Sequence, residues 1–378
     1  MDDERVTVRA VGDLIVDQPD PARFFAPSAP ELSRADLTIG NLEVPHSSTS
    51  TVASVDIPAP PADPAHLSAV AAAGFDILTL AANHVFDCGP EGIADTVSAA
   101  RRAGLATTGA GADLAVAKEP ATVHRHGRSI AVLNYNCVGP RESWATSRKA
   151  GCAYVDVLTH YEMRNANPGG PPEIHTFCEP GSLRRFQADV AAAAQAHDIV
   201  IVALHKGLVH TPALLADYER EVAHAAVDAG ADAVIAHHAH ILRGVEVYQG
   251  RPIFHGLGNF VTVTDALTPV HASTAEAQAW AAPRLALFGF VPDPAMPSYP
   301  FHPDSRFTLI AHLEFDGDRI GAAFVPCWID DEGRPVPQAA DAGGPAVLDY
   351  VRTITATAGL DTEYAWDGDL VRVRTRAR

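Results

Sequence analysis

Three absences narrow what this 378-residue chain can be. It has no run of basic residues, and 46 acidic against 28 basic side chains give a formal charge of −18. Such a surface repels nucleic acid and anionic membranes alike, so neither is expected as a partner. It also lacks the roughly 18 uninterrupted apolar residues that a membrane-spanning helix requires. The N-terminus, MDDERVTVRAVGDL, has neither the basic start nor the apolar segment of a secretory signal, so the expectation is a soluble, cytoplasmic protein. Cysteine is scarce: Cys88, Cys137, Cys152, Cys178 and Cys327 are scattered, odd in number and form no CxxC pair. That argues against a disulfide framework and against a cysteine zinc site, leaving ordinary reduced thiols, mostly buried.

What is present is apolar and periodic. With 47% hydrophobic residues the chain can bury a substantial core. VTVRAVGDLIV reads as a strand ending at Gly12-Asp13, and LTIGNLEV, FDILTLAANH, SIAVLNYN, DIVIVALH and ADAVIAHHAH follow as further strands. Several are near-continuous apolar runs, as in strands covered on both faces. Helical stretches lie between them. DPAHLSAVAAAG opens with Asp63 as N-cap and Pro64 at N1; GPEGIADTVSAARRAG closes at Gly104; TPALLADYEREVAHAAVDAG is read from Thr211-Pro212 to Gly230. This alternation predicts an α/β architecture. A long loop is expected over 139–183 and an irregular proline-rich stretch from Asp265 to Pro303. Beyond it, RFTLIAHLEF and RIGAAFVPCWI read as antiparallel strands around Asp316-Gly317, and AVLDYVRTITATAG as a last helix. The expected division is a core over 1–265, with 266–378 completing the same domain.

In a βα-alternating sheet, ligand sites form beyond the carboxyl ends of the strands. The polar residues ending the apolar runs here are Asp13, Asn41 with Glu43, Asn83 with His84, His205, and His238 with His240. Carboxylate, amide and imidazole groups gathered from neighbouring strands would make a shell for one or two divalent ions, and such N/O donors admit manganese, iron or zinc. Residues two apart in an extended segment share a side. That spacing predicts His238 beside His240, with His237 facing away as a packed or supporting neighbour.

The ordered motifs Gly12-Asp13, Gly40-Asn41-Leu42-Glu43, Ala82-Asn83-His84, His205-Lys206-Gly207, Ala236-His237-His238-Ala239-His240 and Gly256-Leu257-Gly258-Asn259-Phe260 resemble those of the CapA-like family. That family is named for a poly-γ-glutamate capsule component and belongs to the calcineurin-like metallophosphoesterase superfamily. The resemblance runs from about Val6 to Val263 and implies a sandwich of two mixed β-sheets flanked by helices, with a metal centre at one edge. It also implies Asp13 as a ligand of one metal, Glu43 as the bridging carboxylate, Asn83, His205 and His238 on the second metal, and His240 returning to the first. His84 would be the hydrogen-bond donor or general acid. Two departures stand out. The superfamily's Asp-x-His is here Asp13-Leu14-Ile15, removing one imidazole, and the bridging position is Glu rather than Asp.

Other residues are candidates for substrate handling. His302, in the proline-flanked Tyr299-Pro-Phe-His-Pro303, is a candidate acid/base or a surface turn residue. His255 is a candidate to orient a ligand or a satisfied core histidine; Asp87 either receives His84's other nitrogen or caps the next helix. Lys206 could pair with a substrate anion, Arg141 bind one, and Trp144 line a pocket; solvation and loop packing are the alternatives. Three functions follow from the resemblance. The first is a metal-dependent enzyme acting on a peptide or polyglutamate-type amide, by hydrolysis or by Cα epimerisation as in soluble CapA-like peptide epimerases. The second is a phosphomonoesterase or phosphodiesterase, and the third a non-catalytic, metal-stabilised partner in polymer biosynthesis.

Overall fold

Strand Val6–Val16 is buried at nearly every position and organises the larger of two sheets. In the computed structural model, which describes residues 5–54, 60–163, 170–265 and 285–375, it pairs in parallel with Leu37–Leu42 on one side and with Asn259–Val263, and antiparallel with Phe307–Asp316. Ile77–Thr79 and Ala106–Thr108 extend one flank in parallel, while Arg319–Ile329, Leu370–Thr375 and Thr362–Asp367 extend the other antiparallel. The second sheet has a parallel centre, Arg128–Asn136, Ile199–Lys206, Ala233–His238 and Arg251–Phe254, with antiparallel edges Ala121–Arg125 and Val245–Tyr248.

The sheets pack face to face. Val6, Val8, Ile39 and Ile77 of one share a core with Ile130, Ile199, Ile201 and Ile235 of the other. Helices Leu67–Ala72 and Gly89–Arg102 cover the outer face of the first sheet, and Pro180–Ala196 with Asp217–Asp228 cover that of the second. Each fully buried Ile, Leu, Val or Phe contributes about 1.5–3 kcal/mol. Helix Gly344–Thr357 adds Leu348, Val351 and Ile354 to the inter-sheet core. The architecture is thus the two-sheet, helix-flanked α/β sandwich expected. All five cysteines are free and buried.

Local readings differ in three places. The first strand does not end at Asp13 but runs on to Val16, with irregular pairing around Asp13. The helix expected from Thr211 begins at Asp217, because His210 and Ala213 hold positive φ and Glu219 reaches back to accept the Ala216 N–H at 2.9 Å. The stretch 139–183 is not one loop: it holds a 3-10 turn at Arg141–Ser143, a bridge strand Gly151–Cys152, the hairpin Val157–Glu162/Glu173–Cys178, and the start of helix Pro180–Ala196. Residues 164–169 and 266–284, within the two expected irregular stretches, lie outside the described residues.

Candidate metal centre

The first strand meets the loop before Asn259 so closely that a Cβ on Gly12 would lie 2.0 Å from the Gly258 carbonyl oxygen. The Asp13 N–H donates to that same carbonyl at 2.9 Å. Pairing registers break on either side of Asp13. Its buried carboxylate accepts the Asn41 amide at 2.9 Å and the His238 backbone N–H at 3.2 Å. The Asn41 amide is oriented in turn by the Thr79 hydroxyl, which donates to its oxygen at 2.9 Å.

Glu43 follows the Asn41 strand directly, tied by its N–H to the Leu14 carbonyl at 3.1 Å. His240 stands between the two carboxylates, Nε2 3.2 Å from Glu43 Oε1 and Nδ1 3.4 Å from Asp13 Oδ2. Its Nδ1 is 2.8 Å from Asn259 Oδ1; Asn259 donates to the Tyr299 hydroxyl, which donates to the Ser305 carbonyl. A histidine whose Nδ1–H is spent this way presents Nε2 as the free ligand atom. On the other side of Glu43, His205 Nε2 is 2.9 Å from Asn83 Oδ1, and the His205 and His238 rings lie 4.8 Å apart.

Two donor groups result. Ligand atoms of Glu43, His205 and His238 fall within 4.8 Å of one another, and so do those of Asp13, Glu43 and His240. Glu43 belongs to both. Its two oxygens are buried with no partner among the described residues beyond the His240 Nε2 contact at 3.2 Å, and His205 Nδ1 and His238 Nδ1 are buried without a hydrogen-bond partner among them. A buried carboxylate left in that state costs several kcal/mol unless something positive meets it. Burial, and then the charge of Glu43, push the Asp13 carboxyl up to about 8. Burial and the neighbouring imidazoles drive His205 well below its usual value, and burial with His240 takes His238 to about 3. His240 differs: burial would lower it, yet Glu43 and Asp13 raise it to about 9, so a cation bound there has to displace its proton, whereas His205 and His238 are neutral and ready to ligate. The residues present fit a pair of divalent ions sharing Glu43.

The structure thus brings Asp13, Glu43, Asn83, His205, His238 and His240 to one place. The reason given for His238 and His240 needs correcting, because strand alternation does not reach them. The strand ends at His238, and both residues have positive φ, 90° and 54°. It is this turn that carries both imidazoles in, in a backbone region costing roughly 1–3 kcal/mol for a non-glycine residue. His237 sits under the site, its Nε2 3.1 Å from the Val11 carbonyl.

His84 lies beside the centre with Nδ1 2.7 Å from Asp87 Oδ2. Asp87 serves this imidazole; the next helix has Cys88 as N-cap, without a side-chain cap. Burial alone would lower His84, yet the Asp87 contact and the Glu43 charge leave it raised.

The remaining candidates sit elsewhere. Lys206 is fully buried, its ammonium 3.1 Å from Glu219 Oε2 and 3.2 Å from His255 Nδ1, so it cannot present itself to a substrate. His255 also faces Glu246, at 2.8 Å from Nε2, and so serves this ion pair instead of a ligand. His302 accepts the Asp304 N–H through Nδ1, capping the turn Pro303–Arg306, and its ring packs on Phe290. Its neighbour Phe301 is the residue that touches His240, with ring centroids 4.9 Å apart. Arg141 pairs with Asp156 at 3.1 Å and lies over Trp144, which stacks on Tyr154 at 4.3 Å; both pack their own loop. Sequence reasoning missed Asn259, Tyr299, Phe301 and His210, whose ring is 5.7 Å from that of His240. Only Asn259 carried a signal, as the last polar residue of GLGN.

Residues 7–264 match the family model for the bacterial capsule synthesis protein PGA_cap. The chain belongs to that family. Similar members include the PGA biosynthesis protein CapA of Bacillus subtilis (32% identical; 50% of this chain, 42% of that one) and the capsule biosynthesis protein CapA of Bacillus anthracis (28%; 69% and 60%). A probable polyglutamine synthesis accessory protein of Mycobacterium tuberculosis is 32% identical over 52% of this chain and 48% of its own. The chain spans about half the length of the curated relatives it matches. Within this PGA_cap chain, every residue of the two donor groups falls inside the matched span.

Proposed function

We propose that this PGA_cap chain is a metal-dependent enzyme acting on an amide of a peptide or polyglutamate-type substrate, by hydrolysis or by epimerisation at Cα. One observation supports this above the others: Glu43 stands in both donor groups, buried, with one oxygen 3.2 Å from His240 Nε2. Divalent ions held there would supply polarisation of a substrate oxygen and a lowered pKa for bound water. The protein's own residues do the rest. Asp87 fixes the His84 ring through Nδ1, leaving Nε2 as the nitrogen able to give a proton to, or take one from, the substrate. Asn259, Tyr299 and the Ser305 carbonyl form a chain that holds His240 in one orientation. Phe301 packs on the same ring and keeps water from that side.

The test is metal analysis of the purified protein, followed by incubation of peptide and polyglutamate amides in heavy water and in ¹⁸O-water. Deuterium uptake at Cα without cleavage indicates epimerisation, and labelled oxygen in a cleaved product indicates hydrolysis. Neither label in any substrate, with metal bound, removes this reading. A second reading is supported by the word "accessory" in the name of the Mycobacterium tuberculosis relative: a metal-stabilised, non-catalytic partner in polymer synthesis. Turnover that vanishes in a folded, metal-loaded His84→Ala variant excludes it. Manganese-dependent release of phosphate from an aryl phosphate would redirect the assignment to phosphoesterase chemistry.

A further inference from the structure

Away from the metal centre, a groove of about 1060 Å³ runs along helix Gly89–Arg102, between that helix and the segments around Ala110 and Lys149. Its floor is apolar: Val97, half-buried on the helix, and Val116, 43% exposed, line it above the buried Ile93. Its polar lining has one sign. Arg101, Arg102, Arg148 and Lys149 border it, and no carboxylate does. In a chain with 46 acidic against 28 basic side chains, a lining of four cations and no acid runs against the general bias.

These cations are not committed to ion pairs with described carboxylates. Arg101 and Arg148 make neither an ion pair nor a side-chain hydrogen bond with a described residue, and both are exposed. Among the described residues Arg102 donates only to the Ser98 hydroxyl of its own helix, at 2.6 Å. Lys149 is anchored by the Glu142 and Trp144 carbonyls and lies over the Phe86 ring, adding charge at the end of the groove nearest Pro90. From Pro90 to Arg101 the helix rises about 16 Å. Positive charge thus stands at both ends of a half-open apolar trough.

We infer that this groove is a docking site for an acidic peptide segment whose carboxylates alternate with apolar side chains. Such a segment satisfies both features: its carboxylates reach the arginines and the Lys149 ammonium, and its apolar side chains cover Val97 and Val116. A purely polyanionic polymer would leave the floor in water, and an apolar peptide would leave the arginines without a partner. The site is independent of the metal centre and of the reaction assigned to it.

The experiment measures fluorescence anisotropy of the full chain with three labelled probes: a short peptide alternating Glu with Leu, an oligo-α-glutamate of equal length, and a peptide alternating Lys with Leu. The Glu/Leu peptide is expected to bind with an affinity that falls steeply with salt, that drops at least tenfold in the double variant Arg101→Glu/Arg148→Glu, and that EDTA leaves unchanged. Val97→Ser should weaken it several-fold at constant salt sensitivity. All three positions are solvent-accessible, and thermal melting confirms that the variants fold. Three results overturn the proposal: equal binding of oligoglutamate, which makes the apolar floor irrelevant; loss of binding on EDTA treatment, which moves the peptide to the metal centre; or no effect of the double variant.

Discussion

At the scale of single residues, Glu43 differs from every other donor because it serves both groups. Glu43→Gln is therefore expected to lose both ions, whereas His238→Ala and His240→Ala each weaken one, a difference read directly by metal analysis. Stability should fall both with and without metal, for different reasons. In EDTA the Glu43 carboxylate, 1% exposed, is met by His240 at 3.2 Å; burial would raise its pKa, yet His240 leaves it lowered, so the neutral amide is expected to cost about 1–3 kcal/mol. In saturating manganese the wild-type protein melts higher, since only it gains the binding free energy. Asp87 supports a second expectation. Its carboxylate holds the His84 ring and is a member of neither donor group, so Asp87→Asn should leave metal content intact and slow turnover about 10- to 100-fold. Equal loss of metal and rate would show that Asp87 merely maintains the fold.

At the scale of elements, strand Ile199–Lys206 shows how period-two geometry divides labour. His205 belongs to the donor group, and its neighbour Lys206 points into the helix layer, where Glu219 of helix Asp217–Asp228 receives it at zero exposure for both side chains. Lys206→Met leaves Glu219 as a buried charge near Arg243 alone, with an expected cost of about 3–5 kcal/mol in chemical denaturation. The double variant Lys206→Met/Glu219→Leu should recover most of that, and failure to recover would mean that the ion pair has a role beyond its own neutralisation. This pair also marks a limit of sequence reading. The polar ends of apolar runs pointed to Asp13, Glu43, Asn83, His205, His238 and His240, because a carboxylate, carboxamide or imidazole at the end of a buried strand has few structural uses. Nothing in the local pattern distinguishes Lys206 from a solvated lysine, since its partner is thirteen residues on, in a helix whose start Thr211-Pro212 misplaces. The turn that swings His238 and His240 inward was equally hidden, being a matter of φ at two non-glycine positions. Tyr299 and Phe301 reach His240 from a segment some sixty residues downstream, with no periodicity to announce them.

At the scale of the whole molecule, closing two sheets face to face buries imidazoles as well as hydrocarbon. His46, His255 and His312 lie within or beside the packed layers, and burial, their largest influence, lowers each to about 4. For His255 the hydrogen bonds explain how the neutral ring is accommodated: Lys206 donates to Nδ1 while Nε2–H donates to Glu246, a tautomer that a second proton would destroy. Glu246 stays ionised throughout: burial would raise it, but His255 and His224 hold it at about 2. The sign of the linkage follows. A histidine at about 4 when folded and near 6.5 when unfolded takes up its proton more readily in the unfolded chain, so the stability it contributes is complete above about pH 6.5 and is lost as pH falls towards 4. Each such group contributes up to about 1.4 kcal/mol per pH unit across that window. Urea unfolding in EDTA between pH 7 and pH 4.5 should show this decline, and His312→Gln, which cannot titrate, should reduce the slope by one histidine's share. An unchanged slope in that variant would mean that His312 is charged in the folded protein and shares its proton with Glu314, 2.7 Å away. Metal should steepen the same decline, because protons compete for His205, His238 and His240. The difference between the slopes with and without manganese then isolates the donor cluster from the structural histidines.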